Sequence, residues 1–439
     1  MNSISPLDGR YSHITKDLQH YFSEFSFFKY RLYIELKYFI HLTYVLPELI
    51  RINRPDIHDI ILNIWKNFSE NDYHSIKKYE QTTNHDIKAL EYFIRDKFKE
   101  NNLETYNSFI HFAITSQDIN TSANVLALKN AMDDVMIPAI KLIIDILNKH
   151  SDSMKDNIML AFTHGQPAVP TTMGKELSVF AYRLEEQLDY LSSVSYSTKF
   201  GGAVGNFNAH YLAYPDIDWI AFSEIFINQL GLTREKYTTQ ISNYDNLCNL
   251  LNCIRTINNI INDMNIDCWL YISKNYFQLS ISNDEVGSST MPQKINPIHF
   301  ENSEGNICIA NSLIEGITRK LPVSRLQRDL TDSTILRNLG TVLGYCLLSY
   351  HSSYKGLSRI KINTCVIIEE LNKNIAVLTE GVQTILRKHN DSNAYEKLVK
   401  LSRQQTVTMQ ILFTFIYSLP KEQQNDLIQL NITNYKGNL

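Results

Sequence analysis

The sequence predicts an all-α protein of three helical domains, on three observations. Glycine and proline are scarce, 15 and 11 among 439 residues, so few positions break a helix. Long stretches repeat apolar residues three and four positions apart, the spacing of one helix face. And 439 residues are too many for one ordinary core.

Residues 1–115 form the first domain, with medium helices such as 17–44 and 85–99 between polar breaks. Residues 116–360 form the second. From Asp118 to about His150 the apolar positions are Val125, Leu126, Leu128, Met132, Val135, Met136, Ile140, Ile143, Ile144 and Leu147, and Pro138 inside this run predicts a kink. Further long helices are expected over 172–196 and 245–276, the latter carrying Leu247, Leu250, Leu251, Ile254, Ile257, Ile260, Ile261, Met264 and Trp269 on its apolar face. About 30 residues at 1.5 Å each span roughly 45 Å. Helices over 303–319 and 332–354 complete the region. Elements this long and this apolar suit a bundle shared between subunits better than the surface of a lone monomer. Residues 361–439 return to shorter helices and a polar tail, the third domain.

Composition excludes several classes of function. The formal net charge is −4 and no segment is strongly basic, so nucleic acid is not an expected partner. No stretch of about 18 uncharged apolar residues occurs, so no membrane span is expected. The start, MNSISPLDGRYS, has no apolar run after a basic one and predicts no secretory signal. The six cysteines (Cys248, Cys253, Cys268, Cys308, Cys346, Cys365) contain no Cys-x-x-Cys pair, which reads as free, buried thiols in a reducing cytosol. No His/Cys cluster has ligand spacing, so no metal is expected.

Chemistry concentrates in a few strings. Residues 287–297 read Gly-Ser-Ser-Thr-Met-Pro-Gln-Lys-Ile-Asn-Pro. Gly287 permits an unusual backbone and Pro292 and Pro297 interrupt helix, so the segment is a loop. It offers a nucleophile or base (Ser288, Ser289), a fixed cation (Lys294) and an amide (Asn296), the parts needed to hold a carboxylate and move a proton beside it. Thr-His-Gly-Gln-Pro at 163–167 puts His164 in a turn, since Pro167 and Pro170 rule out a helix interior. Histidine is the natural group to protonate a leaving nitrogen near neutral pH. In Thr-Thr-Asn-His-Asp at 82–86, Asn84 or Asp86 suits a helix cap. Ser116 or Asp118 suits another, and helix starts also attract anions.

The full 287–297 string resembles the signature loop of the fumarase/aspartase superfamily, whose members eliminate fumarate from succinyl compounds. Asp8-Gly9-Arg10-Tyr11, Thr82–Asp86, Tyr237–Gln240 and Ser324–Arg337 resemble the adenylosuccinate lyase family in its bacterial form, over nearly the whole chain. That resemblance implies purine nucleotide substrates, no cofactor, and a homotetramer whose central bundle forms the core and whose sites are shared between subunits. It makes Ser288, by its position after Gly287, the base that takes a proton from the succinyl carbon. It makes His164, supported by Glu301, the acid that protonates the departing nitrogen. Lys294, Asn296 and loop amides would stabilise the carbanion. Thr115 and Ser116 would hold the succinyl carboxylates, and His85, with Asn84 and Asp86, would line the site. Arg10, Arg328 and Arg337 with Ser333 supply the forked cations and hydroxyl donors that a phosphate needs. Tyr11, Gln240, Ser289 and Asn302 are further substrate contacts implied in the same way. The alternatives are another fumarate-releasing lyase, such as argininosuccinate lyase, and a catalytically silent helical scaffold. The phosphate-type arginines count against the first, and the intact Ser288 loop and His164 against the second.

Overall fold

The computed structural model describes residues 3–280, 291, 293–404 and 406–438. Over these residues the chain is built from α-helices, with strands confined to three two-stranded pairs. It divides into two compact units. The first comprises Met1–Ile140, Gln187–Asn259 and Gly305–His351, the second Lys141–Glu186, Ile260–Glu304 and Ser352–Leu439. The boundaries fall inside long helices such as Asp245–Ser273, Ile298–Lys320 and Leu339–Leu357.

In the first unit, helix Glu24–Leu42 is the organising element. It buries Phe28, Leu32, Leu36, Tyr38 and Phe39, and packs on Pro55–Lys66 and Ser116–Ala131. Tyr38 joins Phe200, Phe222 and Phe226 in an aromatic cluster with ring centres 5.4–6.2 Å from Tyr38. The helix expected over 17–44 is broken at Ser23. That residue is extended and its side chain accepts the Ser26 N–H, so the hydroxyl starts a new helix rather than continuing the old one. Ser69 and Asp72 form a reciprocal capping box for Glu70–Thr83.

The run expected over 118–150 is helical from Ser116 to Met154. Its irregularity is a π turn over Met132–Met136, in which the Ile137 N–H bonds the Met132 carbonyl five residues back. Pro138 follows at once. Its ring would crowd the carbonyl of Asp134 in a regular helix, and the widened turn relieves that crowding. All ten expected apolar positions except Val135 are buried. On Asp245–Ser273 the exception is Trp269, which is exposed.

The second unit contains an antiparallel hairpin, Ile158–Thr163 with Gln166–Thr172, backed by helix Thr364–Lys373. Pro167 pairs with Phe162 and Pro170 with Leu160, and the register shifts between them. The prolines that exclude a helix here are thus accommodated in a two-stranded ribbon with open edges.

Buried polar rungs tie the helices Asp245–Ser273, Ile298–Lys320 and Leu339–Leu357 together. In the first unit Asn258 donates to Asn311 (2.9 Å) and accepts from Tyr350 (2.7 Å). In the second, Asn265 donates to Ser303 and accepts from Ser353, both at 2.9 Å. A register slip would leave these amides buried and unpaired, so they specify alignment in an otherwise apolar seam. Among the described residues no helix is long and apolar enough to cross a membrane.

Candidate active site

A cavity of about 740 Å³ opens in the first unit. Four segments wall it: Tyr21 to Arg31, Glu80 with Asn84–Asp86, the start of Ser116–Ala131, and Arg328 to Arg337. Seven residues singled out from sequence converge there: Asn84, His85, Asp86, Ser116, Arg328, Ser333 and Arg337.

The wall at 84–86 is a helix junction. Asn84 ends Glu70–Thr83 in a left-handed conformation (φ 51°), and His85 caps Asp86–Glu100 by accepting the Lys88 N–H at Nδ1 (3.2 Å). That bond leaves Nε2–H as the donor a ligand would meet. Asp86 is held by Arg31, whose Nη2 donates at 2.7 Å. Burial alone would raise the Asp86 carboxyl, but the guanidinium and the Ile87 N–H keep it below its ordinary 3.8. Arg31 is itself buried. Its Nε donates to Asn120 Oδ1 (2.8 Å), and its guanidinium lies 3.8 Å from the centre of the Phe27 ring.

The same cavity holds an anion-ready cluster. Arg328 donates to Gln240 Oε1 (3.0 Å) and to Ser333 Oγ (3.4 Å). Gln117 Nε2 donates to the same hydroxyl at 3.2 Å and to Asp332 at 3.3 Å. Gln240 therefore reaches the cluster through Arg328. Thr115, not Ser116 or Asp118, is the N-cap of Ser116–Ala131, and its N–H donates to Asp118 Oδ2 at 2.8 Å. Arg10 and Tyr11 lie outside this wall, in the turn before Ser12–Thr15, with the Arg10 guanidinium 5.8 Å from the Tyr11 ring centre.

The residues assigned to proton transfer belong to the second unit or fall outside the described chain. His164 and Gly165 form the two-residue turn of the hairpin, both with positive φ (54° and 71°). This is the sign that such turns require; glycine takes it freely and histidine at some cost. The turn leaves His164 exposed at the tip. Glu301 is in the first turn of Ile298–Lys320 and accepts the Trp269 indole N–H at 3.1 Å. Among the described residues, His164 and Glu301 are not hydrogen-bonded to each other. Lys294 is exposed, its N–H bonded to the Met291 carbonyl (3.0 Å), Asn296 is half-buried, and Asn302 accepts from Ser352 (2.8 Å). Ser288 and Ser289 lie outside the described residues. Among those described, no group of three His, Cys, Asp or Glu side chains is placed to hold a metal.

Sequence reasoning missed Arg31, Gln117, Asn120 and the aromatic pair Phe27 and Phe28. The signal for one set was present: Ser116, Asn120 and Asn124 recur every four residues as a polar stripe on an apolar helix.

A family model described as Lyase matches residues 9–310, and one described as Adenylosuccinate lyase C-terminal matches residues 324–436. Among curated relatives, the adenylosuccinate lyases of Dictyostelium discoideum, Buchnera aphidicola subsp. Schizaphis graminum and Escherichia coli K12 are 46%, 44% and 42% identical. Each alignment covers 100% of this chain and 97% of the relative. Among solved structures, a fumarate lyase from Mesorhizobium sp. BNC1 superposes with a TM-score of 0.75 at 15% identity, covering 96% of this chain and 95% of that one. The 3-carboxy-cis,cis-muconate lactonizing enzyme from Pseudomonas putida gives 0.74 at 18%, covering 96% and 94%. At these identities the structural likeness establishes the all-helical fold alone.

Proposed function

The chain belongs to the adenylosuccinate lyase family, and on that premise we propose that it splits adenylosuccinate into fumarate and AMP. The same reaction releases fumarate from succinyl-aminoimidazole carboxamide ribotide. Both are anti β-eliminations across a C–N bond. Ser288 removes a proton from the succinyl carbon. The electrons left there form the double bond of fumarate as the C–N bond breaks, and His164 delivers a proton to the departing nitrogen. Glu301 supports the charged imidazole, and Lys294 and Asn296 stabilise the carbanion's neighbouring carboxylate.

The cavity supports this reading most. A fixed guanidinium and a hydroxyl at Arg328 and Ser333, with Arg337 on the same wall, suit a 5′-phosphate. The helix start at Thr115 and Ser116 suits a carboxylate, and His85 offers a donor in the same wall. The aromatic and amide groups of Phe27, Phe28, Asn120 and Asn124 suit a purine and its ribose. Among the described residues the cavity's wall comes from the first unit, whereas His164 stands on an exposed turn. Exposed apolar side chains also run along the long helices, among them Leu142, Val179, Tyr182, Tyr190, Ile266 and Leu270. We therefore assign the working enzyme as a cytoplasmic homotetramer in which copies cover these faces and complete each other's sites.

Turnover decides the substrate class. The protein should convert adenylosuccinate to equimolar fumarate and AMP and leave argininosuccinate untouched. Arg328→Met should weaken adenylosuccinate binding by about 1.5–3 kcal/mol, the loss of a charge-assisted contact, and barely affect a dephosphorylated analogue. Release of fumarate from argininosuccinate alone, or equal losses for both nucleoside forms, would contradict the assignment.

A further inference from the structure

Asp118 sits in the first turn of Ser116–Ala131, the helix whose start is assigned above to a substrate carboxylate. A carboxylate there completes the cap, but it also places a negative charge where an anion must bind. Its surroundings are unusual for a cap. Asp118 is fully buried, and Lys199, also fully buried, donates to its Oδ1 at 2.7 Å. The Gly201 N–H donates to Oδ1 at 2.8 Å, and the N–H groups of Gly202 and Thr115 donate to Oδ2 at 3.1 and 2.8 Å. Lys199 spends a second proton on the Gly202 carbonyl at 2.5 Å. The pair thus joins the helix start to the 199–202 segment. Both sides are left-handed at the join: Ala113 has φ 58°, and Gly202 has φ 75°, where a Cβ would lie 3.1 Å from the Ala113 carbonyl.

A first-turn aspartate needs no lysine to cap a helix, and it is ordinarily wet. Burying both ions is costly unless the geometry is closely satisfied, and here Asp118 accepts from Lys199 and from three backbone N–H groups. The cost has a return at the helix start. An uncompensated Asp118 would cancel the field of the first-turn N–H groups and repel an incoming dianion, and Lys199 removes that charge without consuming the N–H groups.

We propose that Lys199 is a positioning residue for substrate: by neutralising Asp118 and fixing Thr115, it makes this helix start able to accept the succinyl carboxylate. The inference rests on the reading that Thr115 and Ser116 hold that carboxylate. It concerns how the site is made receptive, since Lys199 is sealed from the cavity.

Binding of fumarate and of AMP to the full-length enzyme separates the possibilities. Lys199→Met should weaken fumarate by about tenfold or more, the scale of one uncompensated charge near the site, while AMP affinity changes less than about twofold. The double variant Lys199→Met with Asp118→Asn carries no charge and keeps an acceptor for Thr115. It should recover fumarate affinity to within about threefold of wild type. If Lys199→Met alone does not fold, the double variant carries the test. A folded double variant that binds AMP but not fumarate overturns the neutralisation argument, as does a folded Lys199→Met with unchanged fumarate affinity or with equal losses for both ligands. Ser116→Ala separates the premise from the inference. If it leaves fumarate binding intact, the carboxylate site lies elsewhere and the premise fails. If Ser116→Ala weakens fumarate and Lys199→Met does not, only the role of Lys199 is overturned.

Discussion

His164→Asn should lower kcat by about 10²–10⁴, the range lost when a positioned general acid is removed. Asparagine is the informative replacement. It tolerates the left-handed backbone that His164 adopts (φ 54°), so the hairpin turn is kept while the titrating group is lost. His164 is exposed at the turn, so its removal opens no core and the melting temperature should stay near that of wild type. AMP affinity should also hold, because the cavity wall does not include this residue. A variant that turns over at the wild-type rate, or one that loses AMP binding and catalysis together, contradicts the role of proton donor.

Arg31→Met should destabilise the first unit by about 3 kcal/mol, the lower end of what breaking a buried pair costs. The side chain keeps its bulk over Phe27, but the Asp86 carboxylate loses its cation and Asn120 its donor. The Asp86 carboxyl is held below 3.8 in the folded protein. The stability it contributes is therefore present above that pH and lost as the pH falls through its lowered value. The gap between wild type and variant should be full at pH 7 and should narrow in acid as Asp86 is protonated. Nucleotide KM should rise as well, since Asn84 and His85 share the junction that Arg31 anchors. Denaturant unfolding at pH 7 and in acid checks the first point and initial rates the second. A variant as stable as wild type at pH 7 would show that the pair is structurally idle.

What could be read in advance divides along the range of the interaction. Long helices announce themselves through local periodicity, and the buried faces at Val125 to Leu147 and Leu247 to Met264 follow it closely. The π turn at Met132–Met136 does not, because period alone cannot say how a helix absorbs Pro138. The 158–172 hairpin was legible only as a non-helical turn. Its strands carry two prolines, and its turn reads His-Gly rather than the usual Asn-Gly, so the strand signals were masked. The site was legible where function is written in short strings: Thr82–Asp86, Thr115–Ser116 and Ser324–Arg337 all reach the cavity or brace it. Arg31 was not, since a single arginine inside an apolar run reads as a surface charge until Asp86 and Asn120 are folded onto it. The same holds for Asp118 with Lys199, and for Asn258 and Asn265, whose partners lie 38 to 92 residues away in the chain.

Subunit mixing tests most directly the claim that sites are shared, with His164 and Ser288 reaching one site from different chains. His164→Asn and Ser288→Ala proteins, each inactive, are mixed at equal ratio, dissociated and reassembled. A site then works only if its His164 donor and its Ser288 donor are each intact. With random assembly this holds for one half times one half, roughly a quarter of sites in a symmetric oligomer. Shared sites require activity to climb from near zero toward a quarter of wild type as exchange proceeds. No recovery, with exchange verified by differently labelled subunits, would mean that His164 and Ser288 act from the same chain.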